Sequence, residues 1–131
     1  MKKTTLLQSD LSYIIATLGH TDTLVIADAG LPIPAETERI DLALTKGVPG
    51  AIQTLKVILD EMQVEKIIIA EEAKDRNHRY VAEVQELLPD VPVDFVSHTD
   101  FKARITSARA VVRTGEFAPY ANVILVSGVV F

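Results

Sequence analysis

Four short polar segments interrupt the apolar runs of this 131-residue chain, and each carries side chains able to move protons or hold hydroxyl groups. The first, Gly19-His20-Thr21-Asp22, sets an imidazole in a tight turn between two apolar stretches. Imidazole ordinarily titrates at about pH 6.5, so it donates or accepts a proton near neutrality, and His20 suits general acid–base work. The same tetrapeptide also describes a surface histidine paired with Asp22, or a helix C-cap. The second segment, Asp28-Ala29-Gly30-Leu31-Pro32-Ile33-Pro34, offers a carboxylate able to accept hydrogen bonds from two neighbouring hydroxyls, next to a glycine that lets a ligand approach the backbone. Asp28 equally well closes a turn by bonding its own loop.

The third segment, Ser97-His98-Thr99-Asp100-Phe101-Lys102, places His98 and Lys102 one helical turn apart, where both can face the edge of a crevice; a capped helix with solvated charges is the alternative. The fourth joins Arg113-Thr114-Gly115-Glu116 to Pro119-Tyr120-Ala121-Asn122. There Tyr120 can pack its ring on a sugar's apolar face, and Asn122 supplies both a donor and an acceptor. An Arg113–Glu116 turn pair with a structural tyrosine accounts for the same residues. His78 lies in a charge run with Lys74, Asp75, Arg76 and Arg79, which reads as the solvated start of a helix. A metal site built from His20, Asp22 and His98 has no supporting spacing, such as H-E-x-x-H, and neither a metal nor a cofactor is expected. Glycine-rich phosphate loops and the G-x-S-x-G elbow are absent, which leaves nucleotide binding and serine-hydrolase chemistry without machinery.

The elements that position these segments follow from hydropathy patterning. Leu11, Ile14, Ile15 and Leu18 fall on one face of a first helix, with Ser9 as its expected N-cap and Gly19 at its end. Residues 23–27 form an apolar, β-branched run suited to a buried strand, so Asp28 stands at a strand's carboxyl end. A short strand is expected at 40–44, a helix through Ile52, Leu55, Ile58 and Met62, and a strand at 66–70. A helix over about 77–88, a strand at 93–96 and a short helix capped by Thr99 or Asp100 follow, then strands at 111–112 and 122–126. Alternating strands and helices predict a single α/β domain over residues 1–131, with a mostly parallel central sheet and helices on both faces. Its binding crevice belongs at the strands' carboxyl ends. A straight strand leading to Asp28 would separate it from His20, so one shared site requires the chain to double back or two subunits to contribute.

Composition narrows the partners. A formal charge of -5 disfavours nucleic acid, whose phosphates attract clustered Lys and Arg. Leu6 and Leu7 are followed at once by Gln8-Ser9-Asp10, too short an apolar run for a leader, and no run approaches the ~20 residues that span a bilayer. A soluble, cytoplasmic protein without membrane partners is expected, and the lack of cysteine fits a reducing compartment. A mean hydropathy of +0.24 is apolar for so small a soluble chain, and burial between identical subunits would relieve it.

Taken together, Leu18-Gly19-His20-Thr21-Asp22, the run from Val25 to Pro34, and Arg113-Thr114-Gly115-Glu116 with Pro119-Tyr120-Ala121-Asn122 resemble the ribose pyranase and fucose mutarotase family over essentially the whole chain. The resemblance implies an isomerase that interconverts pyranose and furanose forms of ribose, with His20 as proton donor. It also implies ring-shaped homo-oligomers, typically decamers, with sites shared between neighbouring subunits. The candidate substrate-binding set is Asp28, His98, Lys102, Tyr120, Ala121 and Asn122. A non-catalytic sugar-binding or regulatory module is the alternative, and would need Asp28, Tyr120 and Asn122 but not His20.

Overall fold

Leu24, Val25, Ile26 and Ala27 are wholly buried, so the strand they form is covered on both faces. The computed structural model describes residues 1–131 and makes this run strand β1 (Thr23–Ala27) of a six-stranded sheet. The others are β2 (Arg39–Asp41), β3 (Val64–Ala70), β4 (Val93–Val96), β5 (Ala110–Arg113) and β6 (Val123–Ser127), in the order β2-β5-β1-β6-β3-β4. β2, β5 and β1 pair in parallel, as do β3 and β4, whereas β6 runs antiparallel to both its neighbours, β1 and β3. The sheet is thus mostly parallel. Its one reversed strand brings the residues before β6, not those after it, to the edge where the parallel strands end.

Five helices accompany the sheet: α1 (Ser9–Thr17), α2 (Ala51–Leu59), α3 (Ala73–Arg76), α4 (His78–Leu87) and α5 (His98–Ile105). On one face Leu11 and Ile14 of α1, Leu55 and Ile58 of α2, and Val81 and Val84 of α4 join a core with Leu24, Ile26, Ile67, Ile69 and Leu125. On the other, Phe101 and Ile105 of α5 join Val25, Ile68, Val111 and Ile124. This is the two-faced cover that alternating elements predict. No helix is long and apolar enough to cross a membrane.

Local chemistry moved three boundaries. Ser9, the expected cap of α1, is its first helical residue, because the Gln8 side chain accepts the Leu11 N–H at 2.6 Å. The strand expected at 40–44 stops at Asp41, whose Oδ1 accepts the Ala43 N–H and turns the chain. Ser97, rather than Thr99 or Asp100, caps α5 by accepting the Asp100 N–H. The charge run Lys74-Asp75-Arg76, expected as the solvated start of the following helix, forms a separate short helix, α3, because Asn77 at φ -155° breaks the helical path before α4.

Candidate active site

The carboxyl ends of the parallel strands hold a crevice of about 430 Å³. Asp28, Gly30 and Leu31 after β1 line it, with Arg76 on α3, His98 at the start of α5, and Pro119 and Tyr120 before β6. Asp28 is half-buried and firmly aimed. The Asn122 amide grips it twice: Oδ1 accepts the Asp28 N–H at 2.8 Å and Nδ2 donates to Asp28 Oδ2 at 2.9 Å. Asp28 Oδ1 accepts the Gly30 N–H at 3.0 Å, closing its own loop as one reading of the sequence allowed. Both oxygens keep a further lone pair for a ligand.

The loop behind Asp28 is clamped by residues 113–116. Arg113 donates from Nε to the Ala29 carbonyl at 3.1 Å and from Nη1 to both oxygens of Asp41, so the Arg113–Glu116 turn pair, the alternative reading of this segment, does not form. Glu116 instead accepts the N–H groups of Phe117 and Ala118 through Oε1 and that of Ala51, at the start of α2, through Oε2. Thr114, wholly buried, donates its hydroxyl to the Ala27 carbonyl at 2.8 Å. Gly115 is required by close approach: a Cβ there would collide with the Thr45 carbonyl and with backbone atoms of Val48.

On the other side of the crevice the His98 ring meets Tyr120 edge-on at 5.1 Å and stacks on Phe101 at 6.3 Å. Its Nδ1 is buried without a hydrogen-bond partner. Both oxygens of Glu72 accept the His98 backbone N–H, at 3.1 and 3.0 Å, and that bond holds the Glu72 carboxyl below its ordinary range. Tyr120 adopts φ +55°, a left-handed backbone that turns its ring toward the crevice lining. Beneath, the Tyr80 hydroxyl is buried and unpartnered. Burial, and then the carboxylates of Asp28 and Glu116, push its phenol well above the usual range.

His20 lies at the opposite edge of the sheet. β1 runs without doubling back, and five residues at about 3.3 Å each put about 17 Å between its ends. The His20 ring is 55% exposed and lines a second cavity, of about 450 Å³, with Ile15, Met62, Ser127 and Phe131. Its partner is Glu65 at 2.8 Å, not Asp22, which accepts the Gly19 N–H. The trio His20, Asp22 and His98 is divided between the two edges, and no three His, Asp or Glu side chains gather to hold a metal ion.

Of the candidate residues, then, the fold brings Asp28, His98 and Tyr120 around one crevice with Asn122 behind Asp28. It places His20 elsewhere in the same chain. Ala121 is buried in the core, and Lys102 lies exposed on α5; neither lines the crevice. Asn122 is 1% exposed and spends a donor and an acceptor on Asp28. Sequence reasoning passed over Arg76, which lines the crevice without an ion pair, and Glu72. Both follow the carboxyl end of β3, and the rule that ligands sit beyond strand ends was the signal that could have found them.

The model of the RbsD / FucU transport protein family matches residues 1–130. A D-ribose pyranase of Clostridium perfringens is 55% identical over 131 residues, covering 100% of both chains, and one of Chloroflexus aggregans is 59% identical with the same coverage. Among solved structures, Bacillus subtilis RbsD complexed with D-ribose superposes with a TM-score of 0.97 at 47% identity over 100% of both chains. The fucose mutarotase of Streptococcus pneumoniae in complex with L-fucose gives 0.81 at 26% identity, covering 95% of this chain and 94% of that one. With the family model matched over residues 1–130 and relatives alike from end to end, the chain belongs to the RbsD / FucU family.

Proposed function

We propose that residues 1–131 act as one sugar mutarotase domain, a D-ribose pyranase that interconverts the pyranose and furanose forms of D-ribose by opening and reclosing the ring. The observation that carries this reading is the end-to-end likeness to a relative complexed with D-ribose. Opening a cyclic hemiacetal removes the anomeric hydroxyl proton and protonates the ring oxygen; a different hydroxyl then attacks the aldehyde. No group leaves and no electron is transferred. The reaction also proceeds unaided in water, so a placed acid–base group contributing about 10²- to 10⁴-fold is sufficient.

In this reading His20 carries the proton, Asp28 accepts from sugar hydroxyls, and Tyr120 packs on the sugar's apolar face. His98 offers its unpartnered Nδ1, and Asn122 holds Asp28 in aim. Lys102, exposed on α5, and Ala121, buried in the core next to Asn122, complete the proposed sugar-binding set from outside the crevice lining. Because β1 separates His20 from Asp28, the reacting centre forms between two copies, His20 of one meeting the crevice of another. The crevice offers Arg76 without an ion pair, and Glu61 lines the cavity at the His20 end. Exposed Val130, Phe131 and Phe117 offer apolar surface for the pairing. The assembly is a cytoplasmic homo-oligomer, a ring-shaped decamer.

One observation favours a rival, a non-catalytic sugar-binding module: the crevice is lined without His20. Magnetisation-transfer NMR on ribose separates the two. The protein should speed exchange among ring forms, and His20→Ala should abolish that while ribose still binds. Exchange unchanged in the variant contradicts the proposal.

A further inference from the structure

The antiparallel ladder between β3 and β6 slips at one place. Val64 pairs with Ser127 and Lys66 with Val126, so Glu65 is the extra residue of a bulge. A bulge bends its strand and re-aims the side chain it carries. Here the carboxylate is aimed at the His20 ring, Oε2 lying 2.8 Å from Nε2. Gly128, across from the bulge, leaves the space. A Cβ on it would stand 3.1 Å from the Glu65 Cβ and 3.3 Å from the Gln63 Cγ, and its N–H is fixed to the Gln63 carbonyl at 2.9 Å.

The His20 turn is tied to the same stretch of chain. Thr21 takes φ +68°, a costly conformation for a β-branched residue, while its N–H donates to the Ser127 carbonyl at 2.9 Å and the Ser127 N–H donates to the Asp22 carbonyl at 2.8 Å. Besides Glu65 on β3, the nearby carboxylates are Asp22 on the same turn and Glu61 after α2, which lines the same cavity as His20. Asp22 is committed to the Gly19 N–H and Glu61 lies 3.7 Å from the Lys2 amine, which leaves Glu65 for the ring.

We propose that Glu65 is a positioning residue for His20, holding Nε2–H and so leaving Nδ1 as the atom that exchanges protons with the sugar. The inference rests on the ring-opening reading above. A carboxylate can only accept, so Nε2 carries the hydrogen of the neutral ring and Nδ1 presents its lone pair. Nδ1 takes the anomeric hydroxyl proton as the C1–O ring bond breaks and the C1 carbonyl forms. The resulting imidazolium, its charge offset by Glu65, returns that proton to the ring oxygen. Closure onto a different hydroxyl is the reverse, and no proton is consumed. Exposed ion pairs add little stability, so a purely structural role and a positioning role give different signatures.

The test measures ribose exchange by magnetisation transfer, with kcat and KM separated, in the full-length protein and in Glu65→Gln, Gly128→Ala and Lys66→Gln. It adds ¹⁵N spectra of the His20 imidazole. Glu65→Gln should lower kcat by about 10- to 100-fold, the loss typical when the hydrogen-bond partner that orients a metal-ligating histidine is removed, with KM within about twofold and the melting temperature unchanged. Gly128→Ala should act in the same direction by displacing the carboxylate, and Lys66→Gln should leave exchange intact. Adding Glu65→Gln to His20→Ala should cost nothing more, since the two act as a unit. In the unaltered protein, His20 Nδ1 should show the shift of an unprotonated ring nitrogen. Wild-type kcat in Glu65→Gln, an equal loss in the His20→Ala background, or a protonated Nδ1 on the neutral ring would each overturn the inference. If the unaltered protein does not speed exchange at all, the ring-opening reading falls, and the ¹⁵N spectra alone decide the pairing: loss of the Nδ1 signature in Glu65→Gln upholds it and persistence overturns it.

Discussion

Asn122→Ala removes both bonds that aim Asp28 while touching nothing on the solvent side of the crevice. The amide is 1% exposed, so water reaches its place only by entering the sheet edge. Its bond from the Asp28 N–H contributes about 0.5–1.5 kcal/mol, and its bond to the Asp28 carboxylate about 1.5–3 kcal/mol. Their sum spans about 2–4.5 kcal/mol, and because Asp28 is half-buried, its freed oxygen regains water, which places the expected loss at about 2–3 kcal/mol. Urea unfolding of the variant should show that loss as a lower midpoint at unchanged slope. Under native conditions, a carboxylate no longer held in place should bind ribose about tenfold more weakly, equivalent to 1.4 kcal/mol. A variant with wild-type midpoint and wild-type affinity would refute the argument that this amide sets the site. Lost stability with full affinity would show that Asp28 needs no such aim.

Three further expectations rest on single contacts. Glu72 is held below its ordinary value of 4.5 by the His98 N–H, so its contribution to stability is present above that value and is lost as the pH falls toward the lowered one. In Glu72→Gln the melting temperature should therefore depend less on pH in that acidic range, measured against the parent. Tyr80, raised by burial, gives the opposite sign: the parent should lose stability as the pH climbs past 10.0, and Tyr80→Phe, which gives up no hydrogen bond, should not. At neutral pH that variant should unfold within about 1 kcal/mol of the parent. Gly115→Ala forces the 45–49 turn away from its Thr45 and Val48 contacts, and should cost about 1–3 kcal/mol in urea unfolding, the range for overpacking.

The buried strands were legible because their patterns are physical requirements. The β-branched runs at 23–27 and 93–96 appear as strands with those bounds, and the helix expected over about 77–88 appears at 78–87. The reversed sense of β6 was not, since an apolar run buried on both faces carries no direction. Asp28, His98 and Tyr120 were found as a group because strand ends converge on one edge. Glu65 was hidden for the converse reason: a bulge is a property of two strands in register, and the sequence of β3 alone contains no mark of it. Arg76 and Glu72 lay in a polar run whose composition matches any solvated helix start. That His20 and Asp28 of one chain lie at opposite ends of β1 needed the straight path of that strand.

In the proposed assembly, His20 of one copy serves the Asp28 crevice of another. His20→Ala and Asp28→Ala proteins, each inactive alone, should recover a fraction of ribose ring exchange when unfolded together and reassembled, because some interfaces then pair an intact His20 with an intact Asp28. No recovery in mixtures shown by mass to contain both variants in one assembly would contradict it.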